Sequence, residues 1–153
     1  MRTPANIAKH PIHPMLVPLP IGLWIFSLVC DLISLADYPG AWTTVALYTM
    51  VGGVIGALVA AIPGLIDLLS LPSGPRRTAV IHMTINLAVV GLFCTNSWLR
   101  WPNPDDFRGV PFWLSLIGVG LLAVSGWLGG KLVYVHGIAV DAAPDAATTS
   151  RRR

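Results

Sequence analysis

Four long apolar runs dominate the chain: Met15 to about Leu35, Trp42 to about Leu69, Ala79 to about Leu99 and Val110 to about Val135. Each reaches the roughly 20 residues that an α-helix needs to cross hydrocarbon. None alternates apolar and polar residues as a barrel strand must, and lipid gives backbone groups no partner outside a helix or a closed barrel. The pattern therefore predicts an all-α, integral membrane four-helix bundle over residues 1–141. The connecting segments 36–40, 70–77 and 100–109 collect Pro, Gly and Asp, as turns do. Residues 142–153 carry Ala, Asp, Thr and Arg without apolar periodicity and read as a disordered tail. The first run is too long for a signal peptide and lacks a small-residue cleavage site, so it reads as an anchor that stays.

Composition sharpens this picture. Charged residues make up 11% of the chain and mean hydropathy is +0.69, against roughly 25% charged in soluble domains. Basic residues divide unevenly: Arg2, Lys9, Arg76, Arg77, Lys131 and Arg151 to Arg153 flank one side, and only Arg100 and Arg108 the other. The positive-inside rule then places both termini in the cytoplasm of a multi-pass membrane protein. Trp42, Trp98, Trp101 and Trp113 fall at the outer boundary as an aromatic belt. No basic patch interleaved with aromatics exists, which excludes nucleic acid as a partner. Cys30 and Cys94 sit inside apolar runs and read as small apolar side chains rather than a disulfide framework. All seven acidic residues are aspartates, and no Ser/His/Asp arrangement or helical His-Glu-x-x-His occurs. Hydrolytic catalysis is therefore poorly supported.

Small residues recur every four positions as Gly52, Gly56, Ala60 and Gly64, and again as Gly126 and Gly130 beside Gly129. Such stripes let helices approach closely in lipid, and they leave a homodimer open. Pro63 and Gly64 predict a kink in the second span. No internal repeat stands out.

The four histidines, His10, His13, His82 and His136, all map to the predicted cytoplasmic side, and Asp67 closes the second span there. Ionisable groups near hydrocarbon are costly and mark functional sites by default. Imidazoles and a carboxylate are suitable ligands for a transition metal, so His10, His13, His82, His136 and Asp67 form the candidate metal set. The prolines after His10 and His13 restrict both backbones. Asn86 lies one turn from His82 on the same face, placed to hold a ring nitrogen or a ligand. A haem would draw on His82 and His136 as the first pair to test, with Asn86, Gly129 and Gly137 lining it. Taken singly, each histidine has a plain alternative: an interfacial residue, a solvated helix end, or a bridge from His82 to Asp67. Asp31, one turn inside the first span, reads more readily as a capping or snorkelling group than as a proton carrier.

The segments His10-Pro11-Ile12-His13-Pro14, Pro18-Leu19-Pro20-Ile21-Gly22, Gly64-Leu65-Ile66-Asp67 and Leu132-Val133-Tyr134-Val135-His136-Gly137 resemble a family of uncharacterised bacterial four-span membrane proteins. Some members of that family are joined to Rieske-type ferredoxin domains. The resemblance covers all but the tail, and it implies electron transfer by association only. The chain itself has no Cys/His pattern for an iron–sulfur cluster. Three functions follow as expectations. The first is a membrane redox subunit holding haem b or a metal ion, with a ferredoxin or other redox partner. The second is a small proton-coupled transporter or ligand binder, and the third a structural subunit without cofactor. An electron-transfer or binding subunit is expected more than a stand-alone enzyme.

Overall fold

The computed structural model describes residues 3–36 and 40–140. The expected tail 142–153, and Asp37, lie outside the described residues. A two-stranded hairpin, β1 (Asn6–Ile7) and β2 (His10–Pro11), leads into α1 (Ile12–Leu16) and α2 (Pro18–Leu35). These are followed by α3 (Ala41–Leu69), α4 (Ser73–Arg100) and α5 (Val110–Tyr134). Four helical stretches, Ile12–Leu35, Ala41–Leu69, Ser73–Arg100 and Val110–Tyr134, are long and apolar enough to span a membrane. The chain is a multi-pass, four-helix membrane protein.

Three boundaries differ from the sequence reading. The third span starts at Ser73, not near Ala79, so Arg76 and Arg77 lie in its first turns. Pro72 ends the preceding loop, and Pro75 is tolerated where a helix amide has no intrahelical partner anyway. At the far end of that helix, Arg100 is its last residue and is fully buried, not a loop cation. The amino-terminal segment, to which the sequence reading assigned no element, forms a hairpin whose turn residues Ala8 and Lys9 both have positive φ (49° and 68°). Two such residues in succession match the right-handed twist of a tight hairpin, at a steric cost for side chains other than glycine. The second span runs unbroken through Pro63.

Helices α2 and α3 form one antiparallel hairpin and α4 and α5 a second, with α3 beside α4 and α2 beside α5. The two hairpins repeat one another, contrary to the sequence reading. Along the first span of each, Ile12–Leu35 and Ser73–Arg100, buried or half-buried positions recur at intervals of four and three: His13, Val17, Pro20, Trp24, Ser27, Asp31, and His82, Asn86, Val89, Phe93, Asn96, Arg100. That is the a/d spacing of a helix seam. Every corresponding pair is separated by 69 residues, the spacing of Asp31 and Arg100. The second helices repeat with their own constant offset: Ala60 and Ser125, Gly53 and Gly118, Gly64 and Gly129. Each hairpin's second helix starts after a positive-φ glycine, Gly40 (100°) or Gly109 (81°). The pattern is that of parallel repeats related by an axis along the membrane normal.

Glycine makes the repeat possible by seating rings. A Cβ on Gly53 would lie 2.5 Å from the Trp24 indole nitrogen, and one on Gly118 2.7 Å from the Phe93 ring. Seated this way, Trp24 and Phe93 meet between the hairpins with ring centroids 4.7 Å apart and planes 5° from parallel. Of the glycines singled out from spacing, Gly64 seats the His13 ring, and Gly52 and Gly56 meet Leu23 and Leu19 of α2. Gly126 and Gly130 have nothing within 4 Å of a would-be Cβ, so they are not internal packing positions.

Candidate functional site

Two polar layers lie at opposite ends of the seam, separated by the dry layers of Pro20, Val89, Trp24 and Phe93. Eighteen residues of α4 separate His82 from Arg100, which is about 27 Å of helix and close to the hydrocarbon thickness.

The layer nearer the chain termini is built on His13 and His82. The His13 ring lies over Gly64, where a Cβ would approach its Nδ1 to 2.8 Å, and that nitrogen is 2.8 Å from the Ala60 carbonyl oxygen. His82 repeats the arrangement over Gly129, with Nδ1 2.9 Å from the Ser125 carbonyl oxygen. A carbonyl only accepts, so both imidazoles donate from Nδ1 and, when neutral, carry their lone pair on Nε2. Around His82 a closed network forms. Asn86 Nδ2 donates to His82 Nε2 (3.1 Å) and to the His82 carbonyl (3.0 Å), and Ser125 Oγ donates to Asn86 Oδ1 (2.9 Å). Asn86 thus holds a ring nitrogen, one of the two roles its spacing suggested.

The remaining expected ligands go elsewhere. His10 is exposed on the hairpin, and its Nδ1 turns back to the Ala8 carbonyl oxygen (2.9 Å). Asp67 does not bridge to His82. Its Oδ1 accepts the amide of Ala5 (3.0 Å), which ties the amino-terminal hairpin onto the bundle. His136 lies beyond the end of α5, half-buried, with Nε2 shielded and unpartnered among the described residues. Gly129 does not line a site with His136: the helix ends at Tyr134, before His136, and Gly129 seats His82 instead. Gly137 is a turn residue with φ 63°. Its amide bonds to Val133 and that of Ile138 to Leu132, so the chain reverses and buries Ile138 against Leu68, Leu71 and Ala79. Among the described residues no three His, Cys, Asp or Glu side chains come together as a metal-binding group. The five-residue metal set therefore separates into His13 and His82, at equivalent positions of the two hairpins, and three side chains with their own local settings.

The opposite layer was not legible beforehand. Arg100 donates from both terminal nitrogens to the two carboxylate oxygens of Asp31, each at 2.7 Å, and both side chains are fully buried. Ser115 Oγ donates to Asp31 Oδ2 (3.3 Å), and Asn96 Nδ2 donates to Ser115 Oγ (2.8 Å) and to the Pro111 carbonyl (2.9 Å). The buried Phe107 ring lies 5.7 Å from the guanidinium carbon. The bidentate geometry and the ring's negative face compensate two charges removed from water. Beside this layer Asp105 accepts from Thr43 Oγ1 and from the Gly40 amide, tying one connecting loop to the other. The signal that could have revealed the ion pair was the common 69-residue offset, hidden because tryptophan answers phenylalanine and aspartate answers arginine.

Fold and site together define a four-span membrane protein built from two repeated helical hairpins, with a histidine layer at one end and an ion-pair layer at the other. A family model described as "Predicted membrane protein (DUF2231)" matches residues 9–142, and the chain belongs to that family. No curated protein and no solved structure matches the chain.

Proposed function

We propose that the protein is a membrane redox subunit that holds a haem b between His13 and His82 and passes electrons to a ferredoxin-like or other redox partner. The observation that carries the reading is the placement of two imidazoles at equivalent positions of the two hairpins. Each is fixed by a main-chain carbonyl at Nδ1, so that Nε2 is the nitrogen left to ligate. Haem iron in electron-transfer sites takes axial imidazoles from separate segments, and a carbonyl or carboxylate on the far nitrogen sets tautomer and orientation. The donor set fits such a group once the Asn86 amide leaves His82 Nε2, and His13 replaces His136 as the partner of His82. His10 and His136 have no ligating role in this reading. We further place the end bearing the chain termini in the cytoplasm of a bacterial inner membrane, on the strength of its eight Lys and Arg residues against two. The sequence resemblance to a family with members fused to Rieske-type domains supports the choice of partner.

The structural alternative draws on one observation, that both ring nitrogens of His82 already have partners within the protein. A conduit for protons or solutes is disfavoured by Val89, Trp24 and Phe93, which fill the centre at 0 to 2% exposure. An absorption spectrum and metal content of the detergent-purified protein decide the matter. The expected result is a Soret band that disappears in His13→Ala and in His82→Ala and persists in His10→Ala and His136→Ala. Colourless, metal-free protein from a haem-replete host overturns the redox reading in favour of a structural one.

A further inference from the structure

The repeat gives its two histidines the same seat and different company. His13 and His82 each lie over a glycine with Nδ1 on a main-chain carbonyl, but the side chains beside them diverge. Asn86 stands one turn after His82, where the first hairpin has Val17 one turn after His13. Ser125 supplies the carbonyl for His82, where Ala60 supplies it for His13. Valine and alanine side chains carry no hydrogen-bonding group, so the difference falls on the polar surroundings alone.

On the second hairpin the two polar residues close a ring of hydrogen bonds. His82 Nδ1–H is shared between the Ser125 carbonyl oxygen (2.9 Å) and hydroxyl oxygen (3.0 Å), and that hydroxyl donates to Asn86 Oδ1 (2.9 Å). Asn86 Nδ2 completes the ring at His82 Nε2 (3.1 Å) and gives its other hydrogen to the His82 carbonyl (3.0 Å). Turning the amide over would set its oxygen against two acceptors, so its orientation is fixed. The Nε2 lone pair of His82 is therefore occupied. His13 differs at this atom. Its Nε2 has no hydrogen-bond partner among the described residues and is not shut in by its neighbours.

We propose that Asn86 is a positioning residue that latches His82, so that the two histidines ligate unequally and in order. His13 Nε2 is the open ligand and meets an incoming electron-pair acceptor first. His82 ligates only after the amide lets go, and that release strands an N–H of the half-buried Asn86. Loss of one such bond is worth about ten-fold in an equilibrium constant. Ser125 acts through Asn86, because its hydroxyl holds the amide in the latching orientation. The inference rests on the haem reading for what the histidines bind, whereas the latch itself can be read without haem.

The test uses the full chain in detergent and has two arms. In haem-free protein, diethyl pyrocarbonate acylates imidazole nitrogens whose lone pair is free, and mass spectrometry follows each histidine. His13 reacts, and His82 reacts about ten-fold more slowly or less. Asn86→Val, which matches the first hairpin, raises the His82 rate about ten-fold and leaves His10 and His13 unchanged. Ser125→Ala, which removes the hydroxyl holding the amide, raises it about three-fold and decides if Asn86→Val does not fold. In the second arm haemin is titrated into both proteins, and Asn86→Val binds it about ten-fold more tightly than the parent. A residue that only supported the fold would move haem affinity the other way. Equal His82 rates in the parent and the variants, or a Soret band in both proteins with no gain in Asn86→Val, overturns the latch. The expected His82 rates with no Soret band in either protein overturn the haem reading and leave the latch in place.

Discussion

Single glycines decide where rings can go in this protein. Gly53, Gly64, Gly118 and Gly129 each lie beneath an aromatic or imidazole ring, at distances that a methyl group would violate or crowd. Gly118→Ala should therefore lower the thermal midpoint in detergent, at a cost of about 1–3 kcal/mol for overpacking. Gly126→Ala and Gly120→Ala, at sites with open space around them, should melt with the parent protein. Sequence spacing marked Gly126 and Gly130, which meet nothing within the chain, alongside Gly129, which does, because intervals of four identify a stripe without saying which neighbour it meets. It picked out His82 and Asn86 together correctly, since a one-turn separation on a helix is a local property.

At the scale of the helix pair, the buried Asp31 and Arg100 join α2 to α4. Removing one partner leaves a charge without compensation, so Asp31→Asn or Arg100→Gln should destabilise the fold by about 3–5 kcal/mol, read by chemical denaturation in detergent. Because the two residues occupy equivalent positions of repeated hairpins, the exchange Asp31→Arg with Arg100→Asp should recover more than half of that loss. Failure of the exchange to exceed either single variant would count against the repeat as an energetic unit. A smaller element behaves similarly. The amino-terminal hairpin is tethered through Asp67 Oδ1 to the Ala5 amide, and Asp67→Ala should speed hydrogen exchange at Ala5 by about ten-fold, the worth of one charge-assisted bond. Neither tether was visible in the sequence, where Asp31 and Arg100 stand 69 residues apart and Asp67 lies 62 residues from Ala5.

The whole molecule is two hairpins closed on a shared seam, with the stacked Trp24 and Phe93 between polar ends. If the seam holds the halves together, residues 1–71 and 72–153 expressed as separate chains should co-purify. Arg100→Gln on the second chain should weaken that pairing at least ten-fold. Such a split also separates the two imidazoles, so recovery of any haem spectrum on mixing reports their reunion.

Hydropathy by itself determined that this chain crosses a membrane four times as helices. Span length and the demand for internally satisfied backbone groups are local constraints, written residue by residue. The sequence also marked His82 with Asn86, and the polar ends of the spans. Only the tertiary structure decided which ionisable groups meet. It paired Asp31 with Arg100, seated His13 over Gly64 and His82 over Gly129, and sent His10, Asp67 and His136 to separate duties. Those pairings depend on how two hairpins turn toward each other, and the small residues that permit it carry no label of the partner they will touch.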